Sequence, residues 1–377
     1  MAIPARTHKR RPHVHTQRVA LTTSSSSPTV TTVTTKWEPH ALMMIAISND
    51  DDGGVLGVAG KNSGGTVIQA VGGIDGNGAG GTYSTNSYFA IRDGANGWNG
   101  AITFNSRGYV ITWTVNGSKI NATIEIVSVR GVKCEYFTDS RTAADSTGSQ
   151  DYSTTGGWDP DIVLCYSTHS VSGMHNVGFS SDAPNNKSVN IVVSGSTGDN
   201  FEGGYRSTTF DNRRWSSGWV GWVGQCVVGS GKFTCTWSKR AGGETVTAHF
   251  WALKFQDAVC DEVTGTVKTQ DIITGAGFTP LACFSMGRHN NAEGGTGVKT
   301  QSSELSVNSY GYRDWFAYSG DCARHGSNSS NYKKVNQTLS SGKVAETVST
   351  TGTPSAESIP GRTSIAFGEN GGVGGVA

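Results

Sequence analysis

Asn49-Asp50-Asp51-Asp52-Gly53-Gly54 gathers carboxylates on one turn, the oxygen-rich donor set that a calcium ion takes. The turn lacks the spacing and the bidentate glutamate of an EF-hand. Asp75-Gly76-Asn77-Gly78 is a second turn of the same kind. Solvated hairpin turns carry these residues for backbone reasons, so neither is expected to hold a metal. Asp159 and Asp161 flank Pro160. On a strand the two side chains would share a face, at about the 5–9.5 Å that glycoside hydrolysis asks of paired carboxylates. The equivalent segment further along has Thr279 and Leu281 at these places, so a solvated strand entry is expected instead. The histidines show no metal-ligand spacing, and no Gly-x-Ser-x-Gly elbow stands between a strand and a helix. The chain is expected to be no enzyme and to need no cofactor or metal.

Seven cysteines are scattered at Cys134, Cys165, Cys226, Cys235, Cys260, Cys283 and Cys322. An odd number without Cys-x-x-Cys is neither a disulfide framework nor a zinc site. Small buried hydrophobes are expected. One pair differs. Residues 226–235 read as a hairpin turning at Ser230-Gly231, which sets Cys226 opposite Cys235. Such a pair bridges at a non-hydrogen-bonded position and stays as two thiols in a reducing cytosol. Just before it, Trp215, Trp219 and Trp222 could present rings to a sugar, with core packing expected for at least two of the three. Arginine recurs in Ile91-Arg92-Asp93, Tyr205-Arg206-Ser207 and Tyr312-Arg313-Asp314. A structural ion pair or backbone clamp is expected there, ahead of a contact at a repeated interface.

Arg6, Lys9, Arg10, Arg11 and Arg18 crowd the start of the chain, and no acidic residue precedes Glu38. Residues 21–35 are nearly all Ser, Thr and Val. The basic stretch cannot bury apolar area, so alone it is expected to be disordered. It reads as a solvated tail or as an arm that orders against an acidic partner. The run is short and lacks interleaved aromatics, so no specific nucleic-acid binding is expected.

The elements behind these residues repeat. Gly156-Gly157-Trp158-Asp159-Pro160 with its apolar run to Cys165 returns as Ala276-Gly277-Phe278-Thr279-Pro280 with its run to Cys283. A weaker copy is Thr35-Lys36-Trp37-Glu38-Pro39, with Lys36 where glycine is expected. The three aromatics stand 121 and 120 residues apart. A later motif runs Gly108-Tyr109-Val110-Ile111-Thr112-Trp113, then Gly231-Lys232-Phe233-Thr234-Cys235-Thr236-Trp237, then Gly342-Lys343-Val344 and on to Val348. Each copy closes on an apolar run, at residues 124–129, 250–255 and 364–367. Trp113 to Ser128 and Trp237 to Ala252 are both 15 residues. Two motifs in fixed order at matched spacing indicate duplicated domains.

Runs such as Tyr109-Val110-Ile111-Thr112-Trp113 and Val189-Asn190-Ile191-Val192-Val193 are β-branched and aromatic, with turn dipeptides such as Asp93-Gly94 and Asn116-Gly117 close by. No amphipathic helix of ordinary length stands out. The expected fold is all-β: three tandem β-sandwich domains, jelly-roll or lectin-like, after an extended N-terminal arm. The arm takes residues 1–35 and the sandwiches 36–140, 155–262 and 274–377, with polar linkers between them. In the opening motif glycine permits a sharp turn, the aromatic plugs one end of the sandwich, and proline sits where a missing donor is tolerated. The opening apolar strand is expected to lie beside the closing one.

Glycine supplies 52 of 377 residues, about twice its usual share, and the net charge is +1. No global field therefore draws the chain to nucleic acid or a membrane. No apolar run approaches the ~20 residues that span a bilayer, and no ordinary secretion signal is expected. Modules that open with Gly-Phe-x-Pro and an apolar strand, and close on an aromatic and aliphatic strand, resemble those of tailed-bacteriophage virion proteins. The resemblance covers residues 36–377. It implies a structural, non-enzymatic part of the particle surface, either tail- or fibre-associated or capsid-decorating. That part would be assembled in the bacterial cytoplasm, anchored by its arm to other virion proteins, and homo-oligomeric. The alternative is a host-attachment adhesin that binds surface glycan through Trp215, Trp219 and Trp222.

Overall fold

The computed structural model of the protein describes residues 13–48, 53–61, 67–75, 88–93, 96–142, 144–169, 175–181, 187–193, 202–205, 210–214, 220–239, 245–255, 257–263, 269–273, 276–289, 293–300, 304–308, 315–318, 321–322, 332–340, 343–351 and 361–369. These residues form strands and turns and no helix. The β-branched and aromatic runs account for this, since such side chains pack well on a pleated surface.

The strands fall into three successive sets. The first holds β1 (His13–Leu21), β2 (Thr29–Thr34), β3 (Ala41–Ser48), β4 (Gly53–Lys61), β5 (Val67–Asp75), β6 (Phe89–Asp93), β7 (Asn96–Asn105), β8 (Gly108–Asn116) and β9 (Ala122–Arg130). They make a five-stranded sheet, β1-β9-β3-β4-β5, and a four-stranded sheet, β2-β8-β7-β6. The second set holds β10 (Lys133–Arg141), β11 (Gly148–Ser153), β12 (Ile162–His169), β13 (His175–Ser181), β14 (Lys187–Val193), β15 (Glu202–Tyr205), β16 (Phe210–Arg214), β17 (Val220–Gly229), β18 (Lys232–Lys239) and β19 (Val246–Lys254). Its sheets run β10-β19-β12-β13-β14-β15 and β11-β18-β17-β16. The third set holds β20 (Asp257–Val263), β21 (Thr269–Ile273), β22 (Thr279–His289), β23 (Glu293–Thr300), β24 (Glu304–Asn308), β25 (Trp315–Tyr318), β26 (Asp321–Cys322), β27 (Tyr332–Ser340), β28 (Lys343–Thr351) and β29 (Gly361–Glu369). Its sheets run β20-β29-β22-β23-β24-β26 and β21-β28-β27-β25. Pairing is antiparallel except β24 with β26 and β25 with β27.

Strand order thus repeats as the motifs do. The opening apolar strand lies beside the closing one in every set: β3 with β9, β12 with β19, β22 with β29. Leu42, Met44, Ile124 and Ile126 of the five-stranded sheet share one buried cluster with Ile102, Tyr109, Ile111 and Trp113 of the four-stranded sheet. Those two sheets therefore face each other across a single apolar layer. The second set does the same, joining Val163, Cys165, Phe250 and Ala252 to Cys226, Phe233, Cys235 and Trp237.

β9 and β19 are buried on both faces, with the same burial sequence. Neither shows the alternation of a strand with one wet side. Part of the cover on the second face of β19 comes from the first set, where Trp251 meets Gly60 of β4, and strands of different larger sheets lie against one another. β5 lies against β12 and β13, β14 against β20, β22 and β29, and β24 against β3 and β4. Every one of these strands belongs to a larger sheet. The fifth strand of each larger sheet thus lies on strands of the next. The order is head-to-tail, first on second, second on third and third on first, and it closes.

Two expectations change at the set edges. Part of the expected arm, residues 1–35, is sheet: β1 pairs with β9 from His13↔Arg130 to Leu21↔Ala122, and β2 pairs with β8. The reason is backbone hydrogen bonding at a sheet edge, which holds a segment with few apolar residues. Leu21 is buried in the first core and Val19 packs against it. The expected edges at 36–140, 155–262 and 274–377 also cut across pairings. β10 pairs with β19, β11 with β18, β20 with β29 and β21 with β28. The residues expected as a linker include strand β11 itself; only those between β10 and β11 turn, and there the Thr142 N–H donates to Asp145 Oδ2 at 2.6 Å. Consecutive sets join at residues 131–132 and 255–256.

Candidate functional site

The opening motif is built around a buried threonine. The Thr154 hydroxyl donates to the Trp158 carbonyl at 2.6 Å, and its N–H donates to the Gly231 carbonyl at 2.9 Å. In the first set the Thr35 hydroxyl donates to the Trp37 carbonyl and its N–H to the Arg107 carbonyl at 2.8 Å. Each threonine ties the aromatic's backbone to the tip of a hairpin, β7–β8 or β17–β18. Both are buried although polar, as a fully bonded hydroxyl allows. Sequence reasoning passed over them. The signal is a threonine ahead of each aromatic, Thr35, Thr154 and Thr274. Trp158 belongs to the second core and Phe278 is buried, while Trp37 is half-buried.

The Asp159 and Asp161 carboxylates take different partners. Asp159 is exposed and accepts from the Gly231 N–H at 2.6 Å. Asp161 is buried and accepts from Lys254 Nζ and the Phe255 N–H, both at 2.7 Å. Burial raises its pKa against the opposing pull of Lys254 and that N–H. His40 takes the corresponding place in the first set. The His40 N–H bonds the Val129 carbonyl as the Asp161 N–H bonds that of Leu253, and His40 Nδ1 lies 2.9 Å from the Val132 carbonyl. Both residues clamp the chain where it leaves one set for the next.

The outer faces of the larger sheets carry buried polar groups, Glu125 and His249. Glu125, 4% exposed, receives Arg18 Nε at 3.0 Å. Arg18, expected to bind a partner, is engaged within its own sheet. At the corresponding place on β19 stands His249, buried, with the Tyr136 ring of β10 stacked on it. The Thr138 hydroxyl donates to the Tyr136 oxygen at 2.7 Å, and the Tyr136 hydroxyl is hydrogen-bonded to His249 Nδ1. The imidazole is neutral, because burial lowers its pKa to about 4. Beside it Trp251 and Cys134 press on Gly60 of β4. A Cβ built there would lie 2.6 Å from Cys134 Sγ and 3.1 Å from Trp251 Cζ3.

Trp222 corrects the glycan alternative. Its ring is fully buried in the second core with Lys239 Nζ 6.0 Å from its centroid, so it offers no face to a sugar. Strand alternation turns it inward with Cys226 and Val228. Trp215 and Trp219 lie outside the described residues, as do Arg6, Lys9, Arg10, Arg11 and the turn at 49–52. Arg206, Arg313 and residues 76–78 lie outside them too, and of Arg92 only the backbone is described.

Cys226 pairs with Cys235 as expected, and both are buried thiols. Burial pushes their pKa values well up, as it does for Cys134 and Cys165. At the edge of the same core Tyr152 donates to Asp139 Oδ2 at 2.6 Å, Arg141 Nη2 lies 2.7 Å from that oxygen, and the guanidinium sits over Trp237. Among the described residues no three His, Cys, Asp or Glu groups are placed to hold a metal ion. Asp159, Asp161, Glu125 and His249 are each bonded into a hairpin tip, a junction or a buried sheet face. Chemically the arrangement fixes strands and sets to one another.

No protein-family model matches the chain, and no curated protein matches it.

Proposed function

We propose that the chain is a non-enzymatic structural component of a bacteriophage particle surface, built as three tandem β-sandwich modules over residues 13–130, 133–254 and 257–369. One observation carries the reading. The larger sheets touch head-to-tail and the third returns to the first, through β24 on β3 and β4. A heterologous contact that closes makes a ring. A ring of three modules in one chain is a building block with the shape logic of a trimer, suited to tiling or capping a particle. Its other support is the placement of Asp159, Asp161, Glu125 and His249, which serve the hairpin tips, junctions and buried sheet faces described above. Arg6, Lys9, Arg10 and Arg11 precede β1 directly and anchor the block to acidic surfaces of other virion proteins.

Mass spectrometry of density-purified particles tests this. Peptides of the chain are expected in fixed stoichiometry to the major virion protein. Recovery of the chain only in the particle-free lysate overturns the reading.

A further inference from the structure

We propose that Cys226 and Cys235 are a disulfide site, closed by a small-molecule disulfide such as oxidised glutathione, that staples the β17–β18 hairpin of the second set. The register places it. Gly229 and Lys232 close the two-residue turn Ser230-Gly231, and Cys226 faces Cys235 three pairs further out. In a two-residue hairpin the closing pair exchanges both backbone hydrogen bonds, and bonded and non-bonded pairs alternate from there. The cysteines therefore sit at a non-hydrogen-bonded pair, where Cα atoms approach to ~4.5 Å. That lies within the roughly 4.4–6.8 Å that a disulfide spans.

Both side chains point into the same core. The first set has Ile102 opposite Ile111 at these places, also buried. Two isoleucines fill such a layer without further chemistry. In the second set both partners are instead the one residue type that bonds to itself. Cys165 reaches the same cluster from the opposite sheet and is the competing thiol.

The chemistry balances with glutathione disulfide as the oxidant. One cysteine loses its proton and its thiolate attacks the glutathione disulfide, forming a mixed disulfide and releasing one glutathione as thiolate, which takes up that proton. The second cysteine then displaces the other glutathione as thiolate, which takes up the proton that this cysteine loses. Two protein thiols are oxidised and one glutathione disulfide is reduced to two thiols. The staple matters beyond its own hairpin, because the Gly231 turn holds both Thr154 and Asp159 of the opening motif. Closing it pins the tip against which that motif folds.

The test refolds the full chain from urea at graded ratios of oxidised to reduced glutathione, so that burial does not bar access. Alkylation and digestion without reduction follow. A linked peptide containing Cys226 and Cys235, two hydrogens lighter than the sum of its parts, is expected, and it should persist in Cys165→Ala. The linked protein should unfold at higher urea than the same protein after dithiothreitol. Alkylation of both cysteines at every ratio overturns the proposal, as does a bond from Cys165 to either one, or an unchanged or lower urea midpoint.

Discussion

Lys36 holds the left-handed backbone conformation that Gly157 holds one copy later, φ 66° against 65°. Gly277 repeats it in the third copy at 72°. The lysine that breaks the sequence pattern therefore keeps its geometry, at a cost of ~1–2 kcal/mol for a residue with a Cβ. Lys36→Gly is expected to stabilise the protein by about 0.5–1 kcal/mol, since the freer unfolded chain offsets part of the relief. Gly157→Ala is expected to cost about 1 kcal/mol. A Cβ there meets nothing within 4 Å, so the backbone alone decides. Urea midpoints of the two variants should move in opposite directions, and shifts of the same sign would reject this account.

His249 predicts how stability falls in acid. Its pKa is lowered from 6.5 to about 4 by burial. A base depressed in the fold is neutral there while the unfolded chain already binds a proton. Its stabilising contribution is whole above pH 6.5, shrinks as pH falls from 6.5 to about 4, and levels off below. The total is about 3 kcal/mol, at 1.36 kcal/mol per unit. His249→Asn should flatten that part of the stability–pH curve. An unchanged slope between pH 6.5 and 4 would rule out His249 as its source.

Gly60 reports on the contact between the first two sets. A Cβ built on it would also lie 3.1 Å from the His40 carbonyl oxygen, beside Cys134 and Trp251. Backbone cannot swing aside as a side chain can. Gly60→Ala is expected to destabilise by about 1–3 kcal/mol, the range for overpacking. Adding Cys134→Ala removes the 2.6 Å clash and should recover part of the loss. A double-mutant cycle measures this as a favourable coupling. Strict additivity would show that Gly60 and Cys134 do not meet.

The paired opening and closing strands were legible because both are apolar runs at matched spacing, as Trp113 to Ser128 and Trp237 to Ala252 show. The Cys226–Cys235 facing was legible because a two-residue turn fixes register. β1, β10 and β20 were not. They join their sheets at an edge, and main-chain bonds carry no side-chain signature. The turn at residues 142–147 has the composition of a linker, since both need small polar residues. Thr154 was missed because the carbonyl its N–H bonds belongs to Gly231, 77 residues away. The burial of Trp222 beside a stretch that reads as display was decided by strand parity, which the sequence fixes only once the strand's start is known.

Arg18 and the four basic residues before it should separate by experiment. Arg18 lies on β1 with its guanidinium on the buried Glu125 carboxylate. Removing one partner of a buried pair leaves a charge without its counter-ion, which is destabilising, while replacing both is often neutral. Arg18 is 45% exposed and Glu125 has further contacts, so the full penalty does not apply. Arg18→Met is expected to cost about 1–2 kcal/mol, and Arg18→Met with Glu125→Gln less than half of that. Neither should change incorporation into particles once the protein is folded. Serine at positions 6, 9, 10 and 11 should do the reverse, leaving the urea midpoint within about 0.5 kcal/mol while lowering incorporation. If the serine variant assembles as well as the wild type, the basic residues are a solvated tail and the proposed anchoring role is rejected.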